Sequence, residues 1–187
     1  MKFEEETISS KTIYDGRLID YVVKQVRLPN GETASREIVE HPGAVAIMPF
    51  TSEGKMIFVE QFRKPLEKAI LEIPAGKIDL TDSDPRETGI RELEEETGFY
   101  PEKFELITPF YTTPGFSNEY IYLYRAEGLK KIAKPRAGDE DEFIEIKTLT
   151  FEEAWAAFEE KRIIDGKTII ALLYWKIERL SLNKKED

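Results

Sequence analysis

The sequence predicts an α/β fold led by a short all-β piece, on three observations. Strand-like runs (AVAIMPF, KMIFVEQF, AILEIP) follow one another across turn signals between residues 44 and 74. Residues 85–97 carry the start and stop marks of a helix. Two further helical segments close the chain, the last of them rich in apolar residues.

From the beginning, TIYDGRLIDYVVKQVRLPNGETASREIVEH contains two turn signals, Asp15-Gly16 and Asn30-Gly31. Between them, YVVKQVRL has the β-branched and aromatic residues of a strand. Residues 1–42 are too few to close a core of their own. They are expected to form a small antiparallel β subdomain that packs on the main domain, residues 43–187, or on a partner subunit. Pro42-Gly43 marks the junction. AVAIMPF and KMIFVEQF read as strands joined by the turn TSEG. For the helix, Asp84 supplies an N-cap, Pro85 the first helical position, Glu87 a capping-box pattern and Gly98 the stop. FELITPFYT and EYIYLYRAE read as strands around a Pro114-Gly115 loop. The acidic loop KPRAGDEDE leads to a strand, FIEIKTL. FEEAWAAFEEK then reads as a helix, and a final one follows over residues 166–181, capped by Asp165. Its apolar run IIALLYW predicts packing against the sheet.

The charge balance narrows the partners. Asp and Glu total 37 against 27 Lys and Arg, a net charge of −10. So acidic a chain repels nucleic acid and anionic membranes, and neither is expected as a partner. It can still hold an anionic phosphate compound when cations sit between them. With no cysteine there is no disulfide, cysteine-based zinc site or thiol nucleophile. MKFEEETISSK has no apolar signal core, so a cytoplasmic location is expected.

The chemistry is concentrated in GKIDLTDSDPRETGIRELEEETGF, residues 76–99. Glu92 and Glu96 lie four apart and share a helix face; Glu95 stands beside them. Three carboxylates so placed repel one another unless a cation intervenes, and an all-oxygen donor set suits Mg²⁺ or Mn²⁺. Such a site favours phosphoryl chemistry. The plainer reading of RELEEE alone is a solvated acidic helix face.

The wider pattern decides between them. The segment resembles the Nudix box, G-x5-E-x7-R-E-U-x-E-E-x-G-U, in which U is a bulky apolar residue. Arg91 to Phe99 match its second half at every specified position. Gly76 lies one residue too far upstream, which puts the first glutamate of the box on Ser83, or on Asp82 if the loop carries one extra residue. LEIPAGKID, VEQFRKP, Pro114 within TTPGFSNE and GDEDEFIEI each resemble stretches of ADP-ribose pyrophosphatases, a branch of that family.

The resemblance implies a Nudix α/β/α sandwich with a mixed sheet and the small N-terminal antiparallel β subdomain. It implies metal binding by Glu92 and Glu96 and the Ala75 carbonyl, with Glu95 as a further ligand or as the partner that orients Arg91. Glu140 or Glu142 would be the general base or a further ligand. Arg63 would contact the substrate phosphates or the terminal ribose, with Glu72 near the same group, and Arg36 would reach the substrate from a partner subunit. The implied reaction is Mg²⁺-dependent hydrolysis of ADP-ribose to AMP and ribose 5-phosphate by a homodimer. Its rivals are hydrolysis of another nucleoside diphosphate derivative, such as a GDP-sugar or NADH, and a sensor that binds ADP-ribose without cleaving it. His41, the only histidine, reads as a junction residue.

Overall fold

Alternating valines in the N-terminal segment put one face of a strand inside and the other out. The computed structural model describes residues 2–79, 82, 84–138 and 143–183, and the side chains of 182 and 183 are left aside. Strands β1 (Glu6–Asp15), β2 (Asp20–Arg27) and β3 (Thr33–Glu40) form an antiparallel sheet in the order β1-β2-β3. Val22 and Val26 are its buried side chains, opposite Ile38 and Ala34. The two turns form at the Asp15-Gly16 and Asn30-Gly31 signals: Gly16 N donates to Asp20 Oδ1 (3.1 Å), and Gly31 N to the Leu28 carbonyl (2.9 Å). β1 is exposed along its whole length.

This unit spans Met1–Gly43 and takes in Tyr111–Tyr120 as well. The second piece is bound by a backbone and a side-chain acceptor: Val39 N donates to the Phe116 carbonyl (2.8 Å), and His41 N to Asn118 Oδ1 (2.7 Å). No local pattern in the sequence announces that addition, because the pairing residues lie far apart in the chain.

The second unit comprises Ala44–Phe110 and Ile121–Asp187. In chain order it contains β4 (Ala44–Pro49), β5 (Met56–Arg63), β6 (Lys68–Glu72), β7 (Ala75–Lys77) and α1 (Pro85–Thr97). β8 (Phe99–Tyr100), β9 (Lys103–Tyr111), β10 (Tyr120–Glu127), β11 (Lys130–Lys131), β12 (Ile144–Leu149), α2 (Phe151–Glu159) and α3 (Gly166–Asn183) follow, although β9 and β10 each extend one residue into the other unit. A mixed sheet runs β7-β4-β10-β9, with β10 parallel and β7 antiparallel to β4. An antiparallel sheet runs β12-β5-β6, and β11 pairs with β8.

β4 explains the layering. Its side chains alternate between two cores, as a strand with both faces covered must. Val45 and Ile47 join Leu93 of α1 with Phe104, Tyr124 and Ala126. Ala46 and Met48 join Ala154 and Ala157 of α2, and Ala171, Leu172 and Trp175 of α3. One helix thus covers one face of the mixed sheet and two cover the other, the α/β/α arrangement that the sequence predicts. No helix among the described residues is long and apolar enough to cross a membrane.

The first and last helices begin at the caps that the sequence predicts, and the first also ends at its predicted glycine. Asp84 Oδ1 accepts from Glu87 N (2.9 Å), and α1 stops at Gly98, whose φ of 74° is the left-handed conformation favoured by glycine. Thr150 and Glu153 form a reciprocal capping box on α2. Asp165 Oδ2 accepts from Thr168 N (3.0 Å) at the start of α3.

Leu93 is the side chain through which α1 enters its core, and it is fully buried. Leu93→Ala should cost about 2–5 kcal/mol of stability, measured by urea unfolding; a loss below about 1 kcal/mol would mean that α1 is not held through this contact.

Candidate functional site

The site is built on the corner where β6 becomes β7. Pro74 lies between the two strands and has no N–H to contribute to a ladder. Its carbonyl accepts from Ile47 N (2.8 Å), and Ala75 and Gly76 then pair with Ala46 and Val45. Because β4 is buried on both faces, this corner has little freedom to move.

Helix α1 lays its acidic face on that corner. Glu96, buried, accepts a hydrogen bond from Ala75 N through Oε2 (3.2 Å). The Glu92 carboxyl occupies the space that a Cβ on Gly76 would fill, so position 76 admits no side chain while Glu92 stays in place. This close approach accounts for the glycine better than any turn does.

Arg91 gathers the remaining acids. Its Nη1 lies 2.8 Å from Glu92 Oε1 and 2.9 Å from Glu95 Oε2. Its Nη2 lies 3.1 Å from Asp82 Oδ2 and 3.3 Å from Asp79 Oδ2. Burial opposes the guanidinium charge, but Glu92, Asp82 and Glu95 together outweigh it and raise the pKa of Arg91. Burial likewise pushes the Asp82 carboxyl up. Hydrogen bonds from Thr88 Oγ1 (2.8 Å), from Arg91 and from Asp79 N outweigh that, and its pKa falls below the usual aspartate value. Asp82, where the one-residue insertion would put the first glutamate of the box, thus pairs with Arg91. Asp79, which the sequence reading passed over, joins the same cluster.

A second charged cluster surrounds Glu72, the last residue of β6. Glu72 is buried at 3% exposure and accepts from Arg63 Nε (2.7 Å) and Lys167 Nζ (2.9 Å). Lys167 also reaches Asp165 Oδ2 (3.0 Å). Sequence reading paired Arg63 with Glu72 but gave Lys167 no role, since it is one lysine among many and stands 95 residues from Glu72.

The other residues singled out from the sequence lie elsewhere. Arg36 belongs to the first unit, where it forms a two-point pair with Glu5 (2.9 and 2.6 Å). His41, in the same unit, accepts from Gly43 N through Nδ1 (3.0 Å), a junction contact. Glu140, Glu142 and Ser83 fall outside the described residues. Among the described residues, no three acidic or histidine side chains converge as a cation-binding group. Glu92 and Glu95 turn instead to Arg91, and Glu96 to Ala75 N. The donor chemistry nonetheless fits a hard divalent cation, since carboxylate oxygens from one helix face adjoin the backbone of Ala75 and Gly76.

Comparison with known proteins identifies the family. The model of the NUDIX domain matches residues 40–172. The chain belongs to the Nudix family. A methanol dehydrogenase activator from Bacillus methanolicus is 50% identical to it, over 97% of this chain and 98% of that one. An ADP-ribose pyrophosphatase from Bacillus subtilis is 47% identical, over 94% of each chain. The crystal structure of an ADP compounds hydrolase superposes with a TM-score of 0.81 at 20% identity and covers 96% of both chains, which bears on the fold alone. This Nudix chain thus keeps the arginine and the glutamates of the box and has Asp82 on the arginine.

Removing the arginine should expose what it holds together. Arg91→Met leaves Asp82, Glu92 and Glu95 facing one another. It should cost about 2–3 kcal/mol at neutral pH, somewhat below the loss from breaking a fully buried pair. The share due to Asp82 has a defined pH window. Its folded pKa is depressed, so its contribution is complete above the ordinary aspartate value of 3.8 and disappears as pH falls through the lower folded value. Urea unfolding of parent and variant between pH 7 and pH 2.5 checks it: a difference that widens in acid would contradict the clamp.

Proposed function

We propose that this Nudix protein hydrolyses the pyrophosphate of ADP-ribose, giving AMP and ribose 5-phosphate. The supporting observation is the intact acidic helix, docked on Ala75 and Gly76, in a chain 47% identical to an ADP-ribose pyrophosphatase along nearly its whole length. A sensor that only bound the nucleotide would have no need of Arg91, Glu92, Glu95 and Glu96 together.

Glu92, Glu95 and Glu96, with the Ala75 carbonyl, would hold divalent metal, Mg²⁺ first and Mn²⁺ as substitute. When bound, the metal neutralises phosphate oxygens and lowers the pKa of water toward that of a usable nucleophile. Arg91 keeps the carboxylates in register and prevents their mutual repulsion from splaying the helix face. Arg63 binds the anionic part of the substrate through its planar guanidinium, and Glu72 fixes the orientation of Arg63. Glu140 or Glu142 takes the proton from the attacking water as general base. The products leave as two monophosphates. A cytoplasmic site of action goes with this reading.

The 50% identity to a methanol dehydrogenase activator favours a second reading, in which the chain acts on the turnover of a dehydrogenase. The two are separated by one pair of assays: release of AMP from ADP-ribose by the chain alone, and methanol oxidation by a dehydrogenase with and without it.

Glu96→Gln removes a charge from the centre of the acidic face but keeps an acceptor for Ala75 N. It should lower kcat for ADP-ribose by a factor on the order of 10²–10⁴ with the fold unchanged. Activity near the parental level in saturating Mg²⁺ would take Glu96 out of the site.

We further propose a homodimer formed through the first unit. β1 leaves Ile8, Ile13 and Tyr14 exposed, with Leu18 exposed in the turn beyond, along a ten-residue edge strand that invites pairing. A two-fold arrangement would let Arg36 reach the partner's site. Light scattering should give twice the chain mass at micromolar concentration, and deletion of residues 1–42 should abolish dimerisation and activity together. A fully active monomer would overturn the dimer.

A further inference from the structure

We infer that Lys167 is a positioning residue for substrate binding, setting the orientation of Arg63 through Glu72. The inference rests on the reading of Arg63 as a substrate contact.

Arg63, Glu72, Lys167 and Asp165 form a chain of alternating charge. The two oxygens of Glu72 are divided between the cations. Oε2 takes Nε and Nη2 of Arg63, each at 2.7 Å, and Oε1 takes Nζ of Lys167 at 2.9 Å. Arg63 therefore uses its Nε–Nη2 edge on the carboxylate. Its Nη1–Nη2 edge, which suits two oxygens of a phosphate or a ribose, lies outside the pair. The Arg63 side chain is 37% exposed, Asp165 21%, Lys167 10% and Glu72 3%, so the arginine is the most exposed member of the chain.

Lys167 is itself fixed by the first turn of α3. Asp165 Oδ2 lies 3.0 Å from its Nζ and also accepts from Thr168 N (3.0 Å) and Thr168 Oγ1 (2.7 Å). Thr168 Oγ1 in turn accepts from Ile73 N (3.0 Å), so the helix start is bound to the strand that carries Glu72. Burial pushes the Asp165 carboxyl up, but Lys167 and Thr168 outweigh it, so the aspartate stays charged opposite the lysine.

A buried ion chain is a poor way to gain stability, since apolar side chains of similar volume often do as well or better. What charge adds here is direction. With Lys167 present, Oε1 is engaged and the carboxylate plane cannot turn, so Arg63 meets a fixed oxygen. Without it, Oε1 loses its cation while Arg63 still holds Oε2. Glu72 rotates to recruit Arg63 with both oxygens, and the guanidinium edge meant for the ligand is drawn inward. The groups on α1 are untouched. Affinity should fall while turnover at saturation persists.

Steady-state kinetics on ADP-ribose in saturating Mg²⁺, with thermal melts, test this on Lys167→Met, Lys167→Arg, Arg63→Gln and the double variant Arg63→Gln/Lys167→Met. Lys167→Met should raise KM on the order of tenfold while kcat stays within about threefold. Lys167→Arg should recover most of the loss, and the double variant should resemble Arg63→Gln alone. A lowered Tm or kcat with parental KM in Lys167→Met, beside a raised KM in Arg63→Gln, would overturn the inference and leave the substrate-contact reading standing. A parental KM in Arg63→Gln would overturn both. Should Lys167→Met fail to fold, Lys167→Gln carries the same comparison.

Discussion

Arg91 brings Asp79, Asp82, Glu92 and Glu95 within 3.3 Å of its terminal nitrogens, and the rest of the site depends on that convergence. Acids so close on one helix repel one another strongly at reduced dielectric. A single guanidinium, donating from both terminal nitrogens, cancels much of that repulsion and fixes where each carboxylate points. The order in the chain makes this possible. Arg91 precedes Glu95 by one helical turn and adjoins Glu92, while the loop before the helix folds back to bring in the aspartates. With Glu92 and Glu95 turned to the arginine, Glu96 binds the backbone of the neighbouring corner.

The corner at Pro74 is the second constraint. β4 is buried on both sides, and its alternation commits Val45 and Ile47 to one helix and Ala46 and Met48 to the other two. Residues paired to β4 inherit its rigidity. Ala75 and Gly76 pair with β4 directly, and Glu72, three residues before Ala75, pairs with Val59 of β5. The end of β6 thereby holds Arg63 through Glu72, and the start of β7 docks the helix that carries the acids.

Much of this was legible in the sequence, for local reasons. α1 has its bounds written in Asp84-Pro85 and Gly98, since caps are short-range chemistry. The α/β layering followed from strand runs flanked by amphipathic helices. Other features depend on residues far apart. β7 has only three residues, Ala75–Lys77, and without its partner β4 nothing distinguishes AGK from a loop. The enlistment of Tyr111–Tyr120 into the first unit is equally non-local. The box motif directed attention to Asp82 through a register slip, but Asp79 belongs to no motif, and its part is seen only once the loop is folded. Lys167 is hidden in the same way: its acid partners are one neighbour in sequence and one at the other end of the domain.

Asp165 serves two ends at once, as the cap of α3 and as the anchor of Lys167. Heritable change at this position is therefore pleiotropic. A lineage adapting to heat cannot adjust the helix start without disturbing the ion chain that leads to Arg63, and if that arginine meets substrate, selection on stability carries a correlated response in binding. Effects of substitutions around this corner should depend on genetic background, and the route by which paralogues diverge here would be set by the order in which mutations arrive.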